Sequence, residues 1–387
     1  MSRKKKTEQH SSHKHILNFL HGLKKPTPKE WLISVLVLMS LAVMIIPFVV
    51  RVPRSTEARE LTVPEEKTKK KKPEAEQSIP TTAPRRIDGV VVDAAAANPL
   101  TACVMVENAA FGGVRPQSGL SQASVVYEVI VEGGITRFMA VYAGATVPTI
   151  GPVRSARDNY LQFASEYNCA YFHAGGSDTA LRNIPSFKLR DVDALREYSF
   201  FWRDNSRYAP HNLFTSSDNL QKAIETHSWN TLPPQEYTSW KFVDPVDAAT
   251  RPDPTTDQGV ERVFIGFGGS YDVEYHYNST ENVYERSNGG QPHTDANTGE
   301  IVKTKNIIVE RVGYGESLPD KGRVNWPVEG EGDVLIFHDG AVLSGKWKKP
   351  DRLSRTEFFD ADGNPLSLVV GNSWVEIAPP QVTVEYQ

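Results

Sequence analysis

From about Ile87 onward, short apolar runs alternate with Gly-marked turns, whereas the chain before it holds one unbroken apolar run between two lysine-rich stretches. Val125 to Glu132 (VVYEVIVE) and Ile135 to Ala143 (ITRFMAVYA) are rich in β-branched and aromatic residues. Gly133-Gly134 joins them, which predicts a β-hairpin. The spacing then predicts a helix over Ala156 to Tyr167, a short buried strand over Cys169 to His173 (CAYFH), and a second helix over Asp178 to Ile184. Beyond Gln235 the runs are shorter and alternate, as in Arg262 to Phe267, Val273 to Tyr277, Val283 to Arg286, Ile307 to Arg311, Val334 to His338 and Ser373 to Ile377. Asp339-Gly340 and Asp362-Gly363-Asn364 mark turns among them. The expected fold class is α+β. A mixed α/β domain is expected over 87–240, a Pro/Asp/Thr-rich connecting segment over 241–259, and a mostly β domain, a sandwich or barrel, over 260–387.

The isolated apolar run, Trp31 to Val50, is twenty residues without a charge. As a helix it spans about 30 Å, the thickness of bilayer hydrocarbon. It reads as a single transmembrane helix, with the lipid bilayer as partner. The thirty residues before it carry eight Lys/Arg against two Glu, so residues 1–30 read as a basic cytoplasmic tail and the bulk of the chain as extracytoplasmic. No small-x-small site closely follows the run, so it is expected to stay on as an anchor. Residues 51–86 are rich in Pro, Lys and Glu and bury too little to offset ordering entropy, which predicts a disordered linker.

Charge narrows the function classes. The whole chain sums to −4, and since residues 51–86 carry ten basic against six acidic side chains, residues 87–387 are left at −14. So acidic a body repels a polyanion, and nucleic acid is excluded as a partner. The two cysteines, Cys103 and Cys169, form no CxxC pair and sit among small and apolar residues, which leaves packed thiols or one disulfide and favours the thiols.

Two junctions carry candidate chemistry. Gly151-Pro152-Val153-Arg154-Ser155-Ala156-Arg157-Asp158 enters the first predicted helix, with Ser155 and Asp158 at capping-box spacing. Arg154 and Arg157 would add two guanidinium forks at the positive end of that helix, unless they pair with acids such as Glu128 or Glu132. The second junction, His173-Ala174-Gly175-Gly176-Ser177-Asp178, leaves a strand through two glycines into a helix capped by Ser177 or Asp178. Backbone amides freed by Gly175 and Gly176 can approach an anion, and His173 would serve as proton donor or base if it is not simply packed. Arg154, Arg157, Asp158, His173, Gly175, Gly176 and Ser177 are therefore the candidate ligand-binding set. A third polar cluster, Asn205, Arg207 and Ala209-Pro210-His211-Asn212, stands beside Phe200, Phe201, Trp202 and Tyr208, which suits carbohydrate or peptide contact or a capping loop. No HExxH, GxSxG or SxxK motif occurs, and Asp360-Ala361-Asp362-Gly363-Asn364 lacks the glutamate of a calcium loop, so neither cofactor nor metal is expected.

Longer stretches carry a resemblance. RPQSGLSQASVVYEVIVEGGITRFMAVYAG (Arg115 to Gly144), GPVRSARD and YFHAGGSDTAL, then GQPHTD, GKWKK and GNSWVEIAP, are similar to the YerB-like family of bacterial lipoproteins, a two-domain family without an assigned activity. The likeness spans about Asp88 to Pro380. It implies an envelope location and two domains. Members commonly carry a lipidated cysteine after a signal peptide; here the apolar helix stands in its place. The leading expectation is a non-catalytic envelope protein that binds a small anionic or glycan ligand, or a protein partner. The alternative is an enzyme acting on cell-wall or lipid-linked phosphate substrates, with His173 as acid or base.

Overall fold

The computed structural model describes residues 81–232, 237–254, 256, 259–318 and 322–387. The expected tail, the transmembrane segment Trp31 to Val50 and most of the linker lie outside these residues. Among the described residues, no helix is long and apolar enough to cross a membrane. Residues before Ile87 take part in the fold: Thr82–Pro84 pairs antiparallel with Val91–Asp93, and the Arg85 guanidinium binds Asp88 and the Ala143 carbonyl. The end of the expected linker is therefore part of the fold, because Arg85 finds a buried counter-ion.

The first segment supplies β1 (Ala102–Glu107), β2 (Val125–Ile130), β3 (Thr136–Tyr142), helix α1 (Asp158–Tyr167), β4 (Ala170–His173), helix α2 (Asp178–Ser186), β5 (Arg190–Asp193) and helix α3 (Ser217–Thr226). After it come β6 (Arg262–Gly266), β7 (Val273–Asn278), β8 (Val283–Asn288), β9 (Gln291–Pro292), β10 (Lys303–Thr304), β11 (Asn306–Arg311), β12 (Gly330–His338), β13 (Ala341–Lys349), β14 (Glu357–Phe359), β15 (Ser373–Ala378) and β16 (Thr383–Tyr386). The mixed α/β part followed by a mostly β part is as the periodicity predicts.

The strands do not divide into one sheet per segment. A ten-stranded sheet runs β14-β13-β12-β11-β15-β2-β3-β1-β4-β5, so five strands from each half share it. The seam is the parallel pair β15/β2, with Ser373 opposite Val125 and Glu376 opposite Glu128. The expected sandwich or barrel is corrected accordingly: β11 to β15 extend the first sheet, and only β6 to β10 with β16 form a second, antiparallel one. β2 reads VVYEVI and is buried at every position, as a central strand covered on both faces must be. Burying each such Val or Ile is worth roughly 1.5 to 3 kcal/mol.

Adjacent residues of β2 show what covers each face. Tyr127 stacks on Phe163 of α1, ring centroids 4.3 Å apart, and its hydroxyl donates to Glu166 at 2.6 Å. Glu128 points the other way, to Arg286 of β8 in the second sheet. The body is thus three layers: helices, large sheet, small sheet.

The cysteines form a disulfide, Cys103 to Cys169, with Cα atoms 5.8 Å apart. The expectation of two packed thiols is overturned because β1 and β4 are parallel neighbours, which brings Cys103 beside the residue that leads into β4.

Candidate anion site at the strand ends

Strands β1, β4 and β5 run parallel, and both junctions singled out in the sequence lie at their carboxyl ends. The carboxyl ends of parallel strands are where open α/β sheets take their ligands. The stretch Gly151 to Ala156 lies along the end of β1: Glu107 N donates to the Pro152 carbonyl at 2.9 Å and Arg154 N to that of Met105 at 2.9 Å. It also abuts the second junction, with Ala156 N to the Gly175 carbonyl at 2.9 Å, Ala174 N to that of Arg154 at 3.1 Å and Ser177 N to that of Ala156 at 3.2 Å.

The helix starts differ in detail from the expected caps. Arg157, not Ser155, occupies the N-cap of α1 and makes no side-chain cap, so the Ser155/Asp158 capping box does not form. Asp158 reaches instead to α2, accepting from Ser177 Oγ at 3.0 Å, Thr179 Oγ1 at 2.7 Å and Asn183 Nδ2 at 3.1 Å. Ser177 caps α2 by accepting from Ala180 N at 3.1 Å. Asp158 and Ser177 thus tie two helix starts together.

The glycine junction is filled by the protein's own groups. Gly175, at φ +61°, donates its amide to Asp193 Oδ1 at 2.8 Å, so a carboxylate already occupies the place of a bound anion. A Cβ on Gly176 would press on Leu181 and Ala156, so this glycine serves close packing. His173 is fully buried, with Nδ1 2.8 Å from the Gly175 carbonyl and Nε2 2.6 Å from Asp191 Oδ1. Burial works to raise the Asp191 carboxyl, but the hydrogen bonds and charges of His173 and Arg196 outweigh it and hold it below its usual range.

Of the arginines at the site, Arg154 faces outward, whereas Arg137 and Arg157 are buried. Arg154 Nε lies 3.1 Å from Glu107 Oε1, and its side chain keeps 27% of its surface exposed. The other oxygen of Glu107 is 2.9 Å from His211 Nδ1, so one buried carboxylate orients both a guanidinium and an imidazole. Arg157 forks onto Glu132, with Nε 2.7 Å from Oε2, and also donates to the Ala156 carbonyl at 2.7 Å. Arg137, opposite Glu107 in the β1/β3 register, donates to the Ser155 carbonyl at 2.8 Å and approaches Glu132 at 3.7 Å. Burial, then the charge of Arg157, brings Arg137 down to about 10 despite Glu132. Burial pushes Glu132 upward, yet the Arg157 hydrogen bond and the Arg137 and Arg157 charges hold it at about 2.

The third polar cluster joins this site through His211. Arg207 staples its loop to the one between β1 and β2, donating to the carbonyls of Val114 at 2.9 Å and Pro116 at 3.0 Å, and Arg203 holds Asn212 at 2.6 Å. Phe111 meets His211 edge-on at 5.9 Å, and Phe111 and Tyr208 are exposed. Among the described residues no group of three or more His, Cys, Asp or Glu is placed to hold a metal ion.

Residues 88–230 match the domain described as "Protein of unknown function (DUF3048) N-terminal domain", and 263–375 match the corresponding C-terminal domain. The chain belongs to the DUF3048 family. It is 31% identical over 267 residues to the "Putative lipoprotein YerB" of Bacillus subtilis (strain 168), covering 68% of this chain and 77% of that one. The crystal structure of the YerB protein from Bacillus subtilis is similar with a TM-score of 0.68 at 28% identity, covering 78% of this chain and 99% of that chain.

All the strand-end residues fall in the N-terminal DUF3048 segment. Sequence reasoning brought forward Arg154 and Arg157 but not Glu107 or Arg137, whose signal was a charge at the edge of each apolar run. The second charged cluster joins the two DUF3048 segments and is closed to solvent. Arg286 binds Glu128 and lies 3.9 Å from Glu376; Tyr275 donates to Glu376 at 2.5 Å and Thr136 to Glu128 at 2.5 Å. All three charged side chains are fully buried, which makes this cluster a structural lock.

Proposed function

We propose that the protein is a membrane-anchored, extracytoplasmic envelope protein that binds a small ligand through an anionic group at the carboxyl ends of β1 and β4. The observation that carries the ligand reading is the gathering there of three guanidinium groups, Arg137, Arg154 and Arg157, which form their ion pairs with Glu107 and Glu132. Three guanidinium groups gathered within a body of net −14 give a local attraction that suits one small anion rather than a polyanion. Glu132 is the exchangeable member, because it stands at the tip of the β2/β3 hairpin beside Gly133 and Gly134, while Glu107 is buried. The crevice lined by Glu132, Arg157, Asp158 and Asn159 has room for about one water molecule, so a ligand carboxylate or phosphate enters by displacing the Glu132 carboxylate.

Three observations support the location. The relative in Bacillus subtilis is described as a lipoprotein. The Cys103 to Cys169 disulfide is the kind that persists in oxidising compartments. Trp31 to Val50, uncharged and preceded by eight basic residues, supplies the anchor in place of a lipid. Protease added outside wall-stripped cells should degrade residues 87–387; complete protection would overturn this topology.

The binding test uses titration of the full-length protein in detergent with inorganic phosphate and with glucose 6-phosphate. Arg154→Ala should weaken binding at least tenfold, since a charge-assisted hydrogen bond to a ligand contributes about 1.5 to 3 kcal/mol. Glu132→Gln, which removes the internal competitor, should tighten it. Unchanged affinity in both variants would remove the proposal. A second reading, an enzyme on envelope phosphates, is favoured by one observation: Glu107 orients His211 through Nδ1, as in carboxylate-histidine bases. That role fits His211 better than His173, whose two ring nitrogens are both engaged. Release of phosphate from phosphorylated wall fragments, lost in His211→Gln, would establish it.

A further inference from the structure

A second groove, of 270 Å³, lies at the opposite end of β4 and β5, where the chain enters β5 at Arg190. It is lined by Asn98, Arg190, Gln221, Trp229, Asn230 and Leu232, together with small and apolar neighbours, and none of its lining residues is acidic. Trp229 is half-buried and fixed: its indole stacks on His227 with centroids 4.4 Å apart and planes 15° from parallel, and His227 Nε2 is anchored 2.7 Å from Glu197. Asn98, Gln221 and Asn230 are exposed amides at the rim. Gln221 gives its amide N–H to Glu225 at 2.8 Å, which leaves its carbonyl oxygen available as an acceptor. Arg190 spends one N–H on the Asn168 carbonyl and retains other donors.

We infer that this groove is a saccharide subsite, and that its amides select a sugar carrying acetamido groups. A rigid indole offers the apolar C–H face of a pyranose a flat partner at little entropic cost. Primary amides present donor and acceptor together, which is what an acetamido N–H and C=O require. The absence of acid among the lining residues argues against a cationic occupant. A peptide would leave the three amides to be satisfied by backbone at irregular spacing, whereas a sugar meets them with hydroxyls and acetamides around one ring. The groove shares no residue with the strand-end site, so the inference stands apart from the anion reading.

The test is titration of the full-length protein in detergent with tri-N-acetylchitotriose, which carries no anionic group and therefore does not report on Arg154. Cellotriose, with the same β-1,4 linkage but no acetamides, is the control. Tryptophan fluorescence should change on adding chitotriose, with cellotriose at least tenfold weaker. Asn98→Ala and Asn230→Ala, at exposed positions that leave folding intact, should each weaken chitotriose three- to tenfold, the range for one lost hydrogen bond. Trp229→Ala should abolish binding, and Arg154→Ala should leave it unchanged. No binding by the wild type, or equal affinity in both Asn variants, would overturn the subsite; equal affinity for cellotriose would overturn the acetamido selectivity.

Discussion

Replacing both cysteines with alanine removes the one covalent link across the helix-bearing edge of the large sheet. Cys103 and Cys169 are 66 residues apart, and closing a loop of that length in the unfolded chain accounts for about 4 kcal/mol by the chain-entropy relation. That is a large share of the roughly 5 to 15 kcal/mol by which folded domains are stable. Both sulfurs are fully buried, so the variant also loses a little packed volume, and the two effects have the same sign. The assay is urea denaturation of the wild type, the wild type with dithiothreitol, and Cys103→Ala/Cys169→Ala, followed by tryptophan fluorescence. The reduced wild type should lie about 3 to 4 kcal/mol below the oxidised wild type, and the double variant at least as far below it. Curves for the double variant and the oxidised wild type that overlay within about 0.5 kcal/mol would refute the argument. Two free thiols per chain, titrated in non-reducing denaturant, would refute its premise.

The remaining predictions concern buried charge. Arg286→Met leaves Glu128 and Glu376 buried without their cation and should cost about 3 to 5 kcal/mol in thermal or urea unfolding, with part regained on adding Glu376→Gln. Glu310 of β11 is fully buried, neither carboxylate oxygen has a hydrogen-bond partner among the described residues, and burial together with the charge of Glu166 raises it to about 8. Its folded state therefore holds the proton more tightly than the unfolded chain, so its contribution is present below the unfolded carboxyl range and lost as pH rises toward about 8. Glu310→Gln should flatten the fall in stability between pH 5 and 8, and an unchanged slope would show that Glu310 is not its source. Glu132 has the opposite sign: held at about 2, it supplies up to about 3 kcal/mol above the unfolded carboxyl range, lost as pH falls toward 2. Glu132→Gln should remove that acid-limb loss, read by thermal melts from pH 5 to 2.5.

Local patterns carried much of this fold, and long-range pairing carried the rest. The Gly133-Gly134 hairpin is present as β2 and β3, and Ser177, one of the two caps that the sequence offered for α2, is the one that forms, because turns and caps are decided by residues within a few positions. Parallel partners are chosen by packing between distant segments. Nothing local in Ser373 to Ala378 says that it lies beside Val125 to Ile130, so the sheet that the two domains share was not legible from either alone. The disulfide was hidden for the same reason. Gly175 was legible as a turn, but Asp193, which takes its amide, arrives eighteen residues later from a neighbouring strand. One signal was available and unused: Glu128, Glu310 and Glu376 each sit inside an otherwise apolar strand, and a carboxylate there requires either a buried partner or a bound proton.

That signal also separates structural charge from exchangeable charge. Arg286 is sealed, and displacing its carboxylates would mean parting the two sheets. Arg154 and Glu132 belong to two pairs whose other members, Glu107 and Arg157, are buried, but they themselves keep 27% and 28% of their side chains open to water, so each pair has one member that can be exchanged from solvent. A half-open pair of this kind has water at one partner, where the effective dielectric is high enough for release. Anion affinity at the strand ends should therefore fall as ionic strength rises from 0.05 to about 0.5 M, while urea stability of the Arg286 cluster should barely change, since a buried pair is poorly screened. Equal salt sensitivity of the two would mean that exposure does not divide them, and the ligand site would have to be sought elsewhere on the fold.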